Sequence, residues 1–338
     1  MVDQVELAGD AGKAPLARRL AAEFMGTLLL VAVGSGAATL FTLGPLRGFN
    51  NIVTAQEGGQ GFDPVSEALF SNLLNNSLGD VLGIALAFGF ILAVLVYAFG
   101  GVSGGHFNPA VTFALALSRR FSWADVAPYW LVQILGGIVG ALVIGGIYGD
   151  AGVTFEGTDI LLGATVLGEG VNTAQAILSE AFIAFVLVTA IMAVAIDPRA
   201  PKGWSGLIIG LSLAGGIMLT AQATGGSANF ARTLGPMVAS IMPMYDAGTV
   251  PWGDIWIYFV GPLVGASAAA LLYKSVTGLE LVAPAPGPGA ATPATDTLVG
   301  PVEHVHEKGD VHDAGPDLGG RGSDEPNPGP TGPWKGTE

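Results

Sequence analysis

The sequence predicts an all-α polytopic membrane protein, with six transmembrane helices and two re-entrant half-helices arranged as an inverted three-span repeat. Three observations carry this. Of 338 residues, 51% are hydrophobic and 12% charged, about half the charge of an ordinary soluble domain. Six stretches run without charge: Phe24–Leu46, Val81 up to Arg119, Val126–Gly149, Ala181–Ile196, Gly203–Ala231 and Ile255–Tyr273. Each is close to or above the roughly 20 residues a helix needs to cross a bilayer core. Finally, GGHFNPAVTFAL at 104–115 is echoed by GGSANFARTLGP at 225–236.

Taken in order, residues 1–15 form an N-terminal segment. Asp3, Glu6, Asp10 and Lys13 there do not make the basic start and apolar core of a secretory signal, so the first span is expected to be retained. A channel-forming region is expected over 16–275, its first half at about 16–149 and its inverted second half at about 172–275. Phe41–Asp80 reads as a long outer connection. Beyond residue 281, nine acidic residues stand against Lys308, Arg321 and Lys335 in a Pro- and Gly-rich context. Such a segment cannot bury enough apolar surface to fold, and 281–338 is expected to be a disordered acidic tail. Its His304, His306 and His312 read as solvated residues rather than a metal site. The chain has no cysteine, which excludes disulfides and thiolate metal sites. No nucleophile–base pair, phosphate loop or metal spacing occurs in the apolar part, so no enzyme, cofactor or nucleic-acid function is expected.

Orientation follows from charge. With the N-terminus inside, eleven of the thirteen Lys and Arg residues lie on the cytoplasmic side, leaving Arg47 and Arg232 elsewhere; this is the bias expected of a cytoplasmic face. Both termini are then cytoplasmic, in a multi-pass protein of the plasma or inner membrane.

Each motif follows the second span of its half, and three is odd, so the halves insert upside down relative to each other. Glu23 and Glu180 hold matching places near the start of each half. The apolar runs after the motifs, Ala110–Leu117 and Ala231–Ser240, are too short to span and suit half-helices. Irregular backbone at that depth must line a cavity or be buried in protein. Asn is a strong N-cap, and Pro suits a first helical position because its missing N–H would be unpaired there. Two half-helices meeting at their N-termini would aim two positive dipole ends and two Asn donors at one point, a site suited to a neutral hydrogen-bonding solute.

In "SGGHFNPAVT" and "GGSANFARTLGP", set among six spans, the chain resembles the major intrinsic proteins, the aquaporins and aquaglyceroporins. The resemblance covers about residues 16–275. It implies a passive pore in each subunit, a homotetramer in the lipid bilayer, and water or small neutral solutes as the passing molecules. Asn108, Pro109 and Ala110, with Asn229, Phe230 and Ala231, would form the midplane boxes. Carbonyls of Gly104, Gly105 and His106, and of Ser227 and Ala228, would make a ladder of acceptors, and Glu23 and Glu180 would brace the loops. Phe88, Ile217, Gly226 and Arg232 match the outer constriction. Water-selective members resemble this set in Phe and Arg but carry His where Ile217 stands, and glycerol channels typically have Trp, Gly and Phe. The expectation is a wider, more apolar opening that passes water and solutes such as glycerol, urea or undissociated metalloid acids.

The second box departs from the family pattern at Phe230, where a proline is expected; its ring is expected to pack away from the pore against Pro109. A strictly water-selective channel, a closed or structural member, and a secondary transporter are the alternatives. The transporter would need ion-coupling groups within the membrane, and few residues are available for that role.

Overall fold

The computed structural model describes residues 14–56, 78–245 and 248–278, all within the unit Met1–Ala285. Residues 1–13, the middle of the predicted outer connection (57–77) and the predicted tail (281–338) lie outside the described residues. Among the described residues, eight α-helices follow in chain order: α1 Leu16–Gln56, α2 Leu78–Ser103, α3 Pro109–Leu117, α4 Trp123–Tyr148, α5 Thr173–Ile191, α6 Ser205–Thr224, α7 Phe230–Ser240 and α8 Ile257–Thr277. Six of these segments are long and apolar enough to cross a membrane; α3 and α7, at 9 and 11 residues, are not.

The connection between the first two spans is shorter than the sequence suggests. Helix α1 continues through Pro45 to Gln56, because a proline removes one helical hydrogen bond and kinks the helix without necessarily ending it. At 41 residues, α1 is about 60 Å long, twice a bilayer core. A further difference lies between α4 and α5. There a 3₁₀ turn at Gly149–Gly152 leads into a two-residue hairpin, Thr154–Phe155 with Thr158–Asp159, and then into a second tight turn at Leu161–Gly163. Leu161, Leu162 and Gly163 all have positive φ (51°, 53° and 73°).

The repeat sets the packing. In each half the first and third spans pack together, α1 with α4 and α5 with α8, and the second spans α2 and α6 pack across the halves. Small residues allow it. A Cβ on Gly137 of α4 would lie 2.4 Å from the carbonyl oxygen of Ala231, and one on Gly235 of α7 would lie 2.4 Å from the carbonyl carbon of Gly137; the two backbones touch, and no side chain fits between them.

Candidate pore site

Each half-helix is capped by the Asn before it. Asn108 and Asn229 are extended (φ −154° and −151°), and their Oδ1 atoms accept from the N–H groups of Ala110 (2.8 Å) and Ala231 (3.0 Å). That assignment turns each Nδ2 outward as a donor. The Asn108 amide donates to the Ala228 carbonyl at 2.8 Å, and the Asn229 amide donates to the Phe107 carbonyl at 2.9 Å. The two loops are thus tied reciprocally, and each amide keeps a second N–H beside the cavity that both Asn residues line.

The reciprocal tie needs unusual backbone. Phe107 and Ala228 have φ of 49° and 53°, a left-handed conformation that costs a non-glycine residue about 1–2 kcal/mol. Buried carboxylates hold both. Glu23 accepts from Ser103 Oγ (2.6 Å), the N–H groups of His106 (3.0 Å) and Phe107 (2.7 Å), and Gln133 Nε2 (2.8 Å). Glu180 accepts from Thr224 Oγ1 (2.7 Å) and the N–H groups of Ser227 (3.0 Å) and Ala228 (2.8 Å). The tyrosines Tyr129 and Tyr258 complete the correspondence by donating to the carbonyls of Ser103 and Thr224, each at 2.9 Å.

Ser103, Thr224, Gln133 and both tyrosines are absent from the sequence-predicted site. A signal existed for two of them, since Ser103 and Thr224 stand five residues before Asn108 and Asn229. The same spacing logic finds Thr112 and Thr233, four residues after. Thr112 Oγ1 meets His106 Nδ1 at 3.1 Å, and Thr233 Oγ1 meets Ser227 Oγ at 2.6 Å.

A narrow cavity of about 30 Å³ runs along the boxes, space for only a few waters at once at roughly 10–15 Å³ each. Gly104, Gly105, His106, Asn108, Ser227, Asn229 and Arg232 give it a polar side, while Leu30, Leu92, Val96, Leu187 and Leu213 are among its apolar wall. Ala228 is placed differently from expectation. It does not line the cavity, and its carbonyl is turned onto Asn108 by the left-handed backbone. Pro109 and Phe230 also stand outside the cavity, in an apolar crevice shared with Trp130, Ile134 and Phe259. The Phe230 ring meets Phe259 edge to face at 5.1 Å. Ala110 and Ala231 are buried beside their caps.

Arg232 lines both this cavity and a wider vestibule of about 210 Å³, so it stands at the neck between them. Its guanidinium lies 4.8 Å from the centroid of the Phe88 ring, and Nη1 donates to the Gly163 carbonyl at 2.8 Å. Arg232 is 3% exposed, and its Nε has no hydrogen-bond partner among the described residues. Gly163 comes from the tight turn before α5, which no sequence signal pointed to. Ile217 and Gly226 are not brought to the lining. They pack on each other, so that a Cβ on Gly226 would lie 3.2 Å from the Ile217 Cα. Gly226 therefore makes room for Ile217 and does not simply add width.

This architecture has known counterparts. A family model for the major intrinsic proteins matches residues 11–273. The chain is 40% identical over 262 residues to aquaporin AqpM of Methanothermobacter thermautotrophicus, covering 78% of this chain and 98% of that protein. It is 32% identical over 267 residues to glycerol uptake facilitator protein-like 6 of Lactiplantibacillus plantarum, covering 78% and 99%. The X-ray structure of the aquaglyceroporin from Plasmodium falciparum shares the fold, with a TM-score of 0.60 at 21% identity over 78% of this chain and 97% of that one. Six apolar spans, paired Asn-capped half-helices and this similarity along nearly the whole described region place the chain in the major intrinsic protein family of passive membrane channels.

Proposed function

We propose that this channel conducts water and small neutral solutes, such as glycerol, urea or undissociated metalloid acids, in single file, and that it excludes ions and protons. The observation that carries the reading is Arg232 at the neck between cavity and vestibule. It has no carboxylate within ion-pair distance among the described residues. A guanidinium so placed repels cations, and its Nη2 group, which is not held by Gly163, can donate to a passing oxygen. Beyond the neck, Asn108 and Asn229 donate and the carbonyls of Gly104, Gly105, His106 and Ser227 accept. A solute keeps hydrogen bonds on one side, while the apolar wall binds it weakly enough to let it leave.

Support for solutes beyond water comes from relatives named both as aquaporins and as a glycerol uptake facilitator. A second, strictly water-selective reading has its own observation, the small cavity of about 30 Å³. Stopped-flow swelling of proteoliposomes under water, glycerol and boric acid gradients separates them. Conduction of all three above protein-free vesicles is expected; fast water flux with glycerol and boric acid at the protein-free rate would establish the water-selective reading instead.

The basic residues Arg18, Arg19, Arg119, Arg120, Arg199, Lys202 and Lys274 favour a cytoplasmic placement of the face that carries them, hence cytoplasmic termini in a plasma or inner membrane. Resemblance to the family supports a homotetramer with one pore per subunit. Light scattering of the detergent-solubilised protein checks the assembly.

A further inference from the structure

The neck is built on the first span as well as on the boxes. A Cβ on Gly34 of α1 would lie 2.2 Å from Cε1 and 2.3 Å from Cδ1 of Phe88. The ring therefore rests on the bare backbone of Gly34. The same ring meets the Arg232 guanidinium at 4.8 Å. One residue along, the Ser35 carbonyl supports the second anchor. A Cβ on Gly163 would lie 2.1 Å from that oxygen, and the Gly163 carbonyl accepts from Arg232 Nη1 at 2.8 Å. Both restraints on Arg232, the aromatic face and the carbonyl, are thus seated on adjacent residues of α1.

We infer that Gly34 is a positioning residue for solute selection: its missing side chain sets how far the Phe88 ring stands back from the pore, and so sets the size limit at the neck. Carbon atoms in ordinary contact are about 3.5–4.0 Å apart. A methyl group at position 34 would have to displace the ring edge by roughly 1.3 Å or more to reach that separation from the 2.2 Å recorded for Cε1. Phe88 is otherwise enclosed in the apolar core, and the open space beside it is the cavity it lines. The ring moves into the path of the solute. Gly36 provides the contrast, since its nearest neighbour to an added Cβ is Ile144 Cγ1 at 3.6 Å, an ordinary contact on the same helix.

The inference rests on the proposed pore through this neck, and the test separates the two. Wild type, Gly34→Ala, Gly36→Ala, Phe88→Val and the double variant Gly34→Ala/Phe88→Val are reconstituted at equal amounts of monodisperse protein, and water and glycerol fluxes are measured. Gly34→Ala is expected to reduce glycerol flux at least tenfold and water flux less than threefold, with Gly36→Ala unchanged. In the double variant the valine leaves nothing for the methyl to push, so its fluxes should match those of Phe88→Val alone. If wild type passes no glycerol, the solute reading fails but the seat is still tested, because a water flux lowered by Gly34→Ala must be restored in the double variant. Equal proportional loss of water and glycerol in Gly34→Ala, unchanged flux, or a loss that persists in the double variant would each overturn the role of Gly34.

Discussion

The two boxes carry the same backbone with different letters. In both, an extended Asn caps a half-helix, a left-handed residue precedes it, and a buried glutamate holds that residue's N–H. They differ on the outward side. Pro109 begins α3, and its carbonyl accepts from Trp130 Nε1 at 3.0 Å. Phe230 begins α7, and its ring meets Phe259. The comparison teaches that the pore geometry is set by the carboxylate and the reciprocal Asn bonds, while the residue after each Asn adjusts the fit against neighbouring spans.

Removing a carboxylate is the strongest way to break that view. In Glu23→Gln or Glu180→Gln, one acceptor becomes a donor facing the N–H of a strained residue. A buried donor left unsatisfied costs about 1–3 kcal/mol, and the left-handed residue loses its restraint. We expect water flux to fall more than tenfold in either variant, with a lowered melting temperature. Near-normal flux in both would show that the Asn bonds suffice alone.

Arg232 marks an asymmetry of charge between the boxes. It stands three residues after Asn229, and the matching place in the first box, three residues after Asn108, is held by the uncharged Val111. Arg232→Val should raise glycerol flux several-fold and admit a measurable cation leak, read as dissipation of a potassium gradient in the same vesicles. Tight vesicles would remove Arg232 from the ion barrier.

Next comes an exchange of the differing letters. Pro109 is buried, and a larger ring there must displace Trp130 from its hydrogen bond, so Pro109→Phe should lower flux by about fivefold. Phe230 is only half-buried and lies in an apolar crevice. Its replacement by Pro restores a residue suited to a first helical position, at a place where no described group accepts the Phe230 N–H. Flux in Phe230→Pro should stay within about twofold of wild type. A many-fold rise would identify the ring as a partial plug.

Much of this was legible beforehand, for physical reasons. A span announces itself because every residue facing lipid must be apolar, and the caps are legible because Asn does one local job. Glu23 and Glu180 stood out because a carboxylate in an apolar run needs partners. The partners themselves did not. Ser103, Thr224 and the tyrosines are ordinary residues until the fold brings them within 3 Å of a loop. Tyr129 and Tyr258 stand 21 and 29 residues after their Asn, so unequal connections hide their correspondence. Gly163 and Gly34 act through a carbonyl and a missing side chain, and neither leaves a signature in residue type.

The halves also differ where their first and third spans are joined near the basic face, and this predicts the smallest effect. Arg19 of α1 donates to Asp125 of α4 at 2.9 Å. The second half uses Asp197, just past α5, which accepts from Arg199 Nε at 2.8 Å and from the Tyr273 hydroxyl of α8 at 2.9 Å. Hydrogen bonds from Arg199 hold the Asp197 carboxyl below the usual range, against a smaller opposing effect of burial. A depressed folded-state value means that this contribution to stability is present above the unfolded carboxylate value near 4 and is lost as pH falls through the folded one. The link between α5 and α8 should therefore persist from pH 8 to pH 4 and weaken only in stronger acid. Hydrogen exchange of residues 197–204 across that range should show constant protection in wild type. Asp197→Asn removes the ionisable group, and its exchange should be faster by a few-fold at neutral pH. Equal protection in the variant and wild type at pH 7 would mean that Tyr273 and Arg199 hold the junction without the charge.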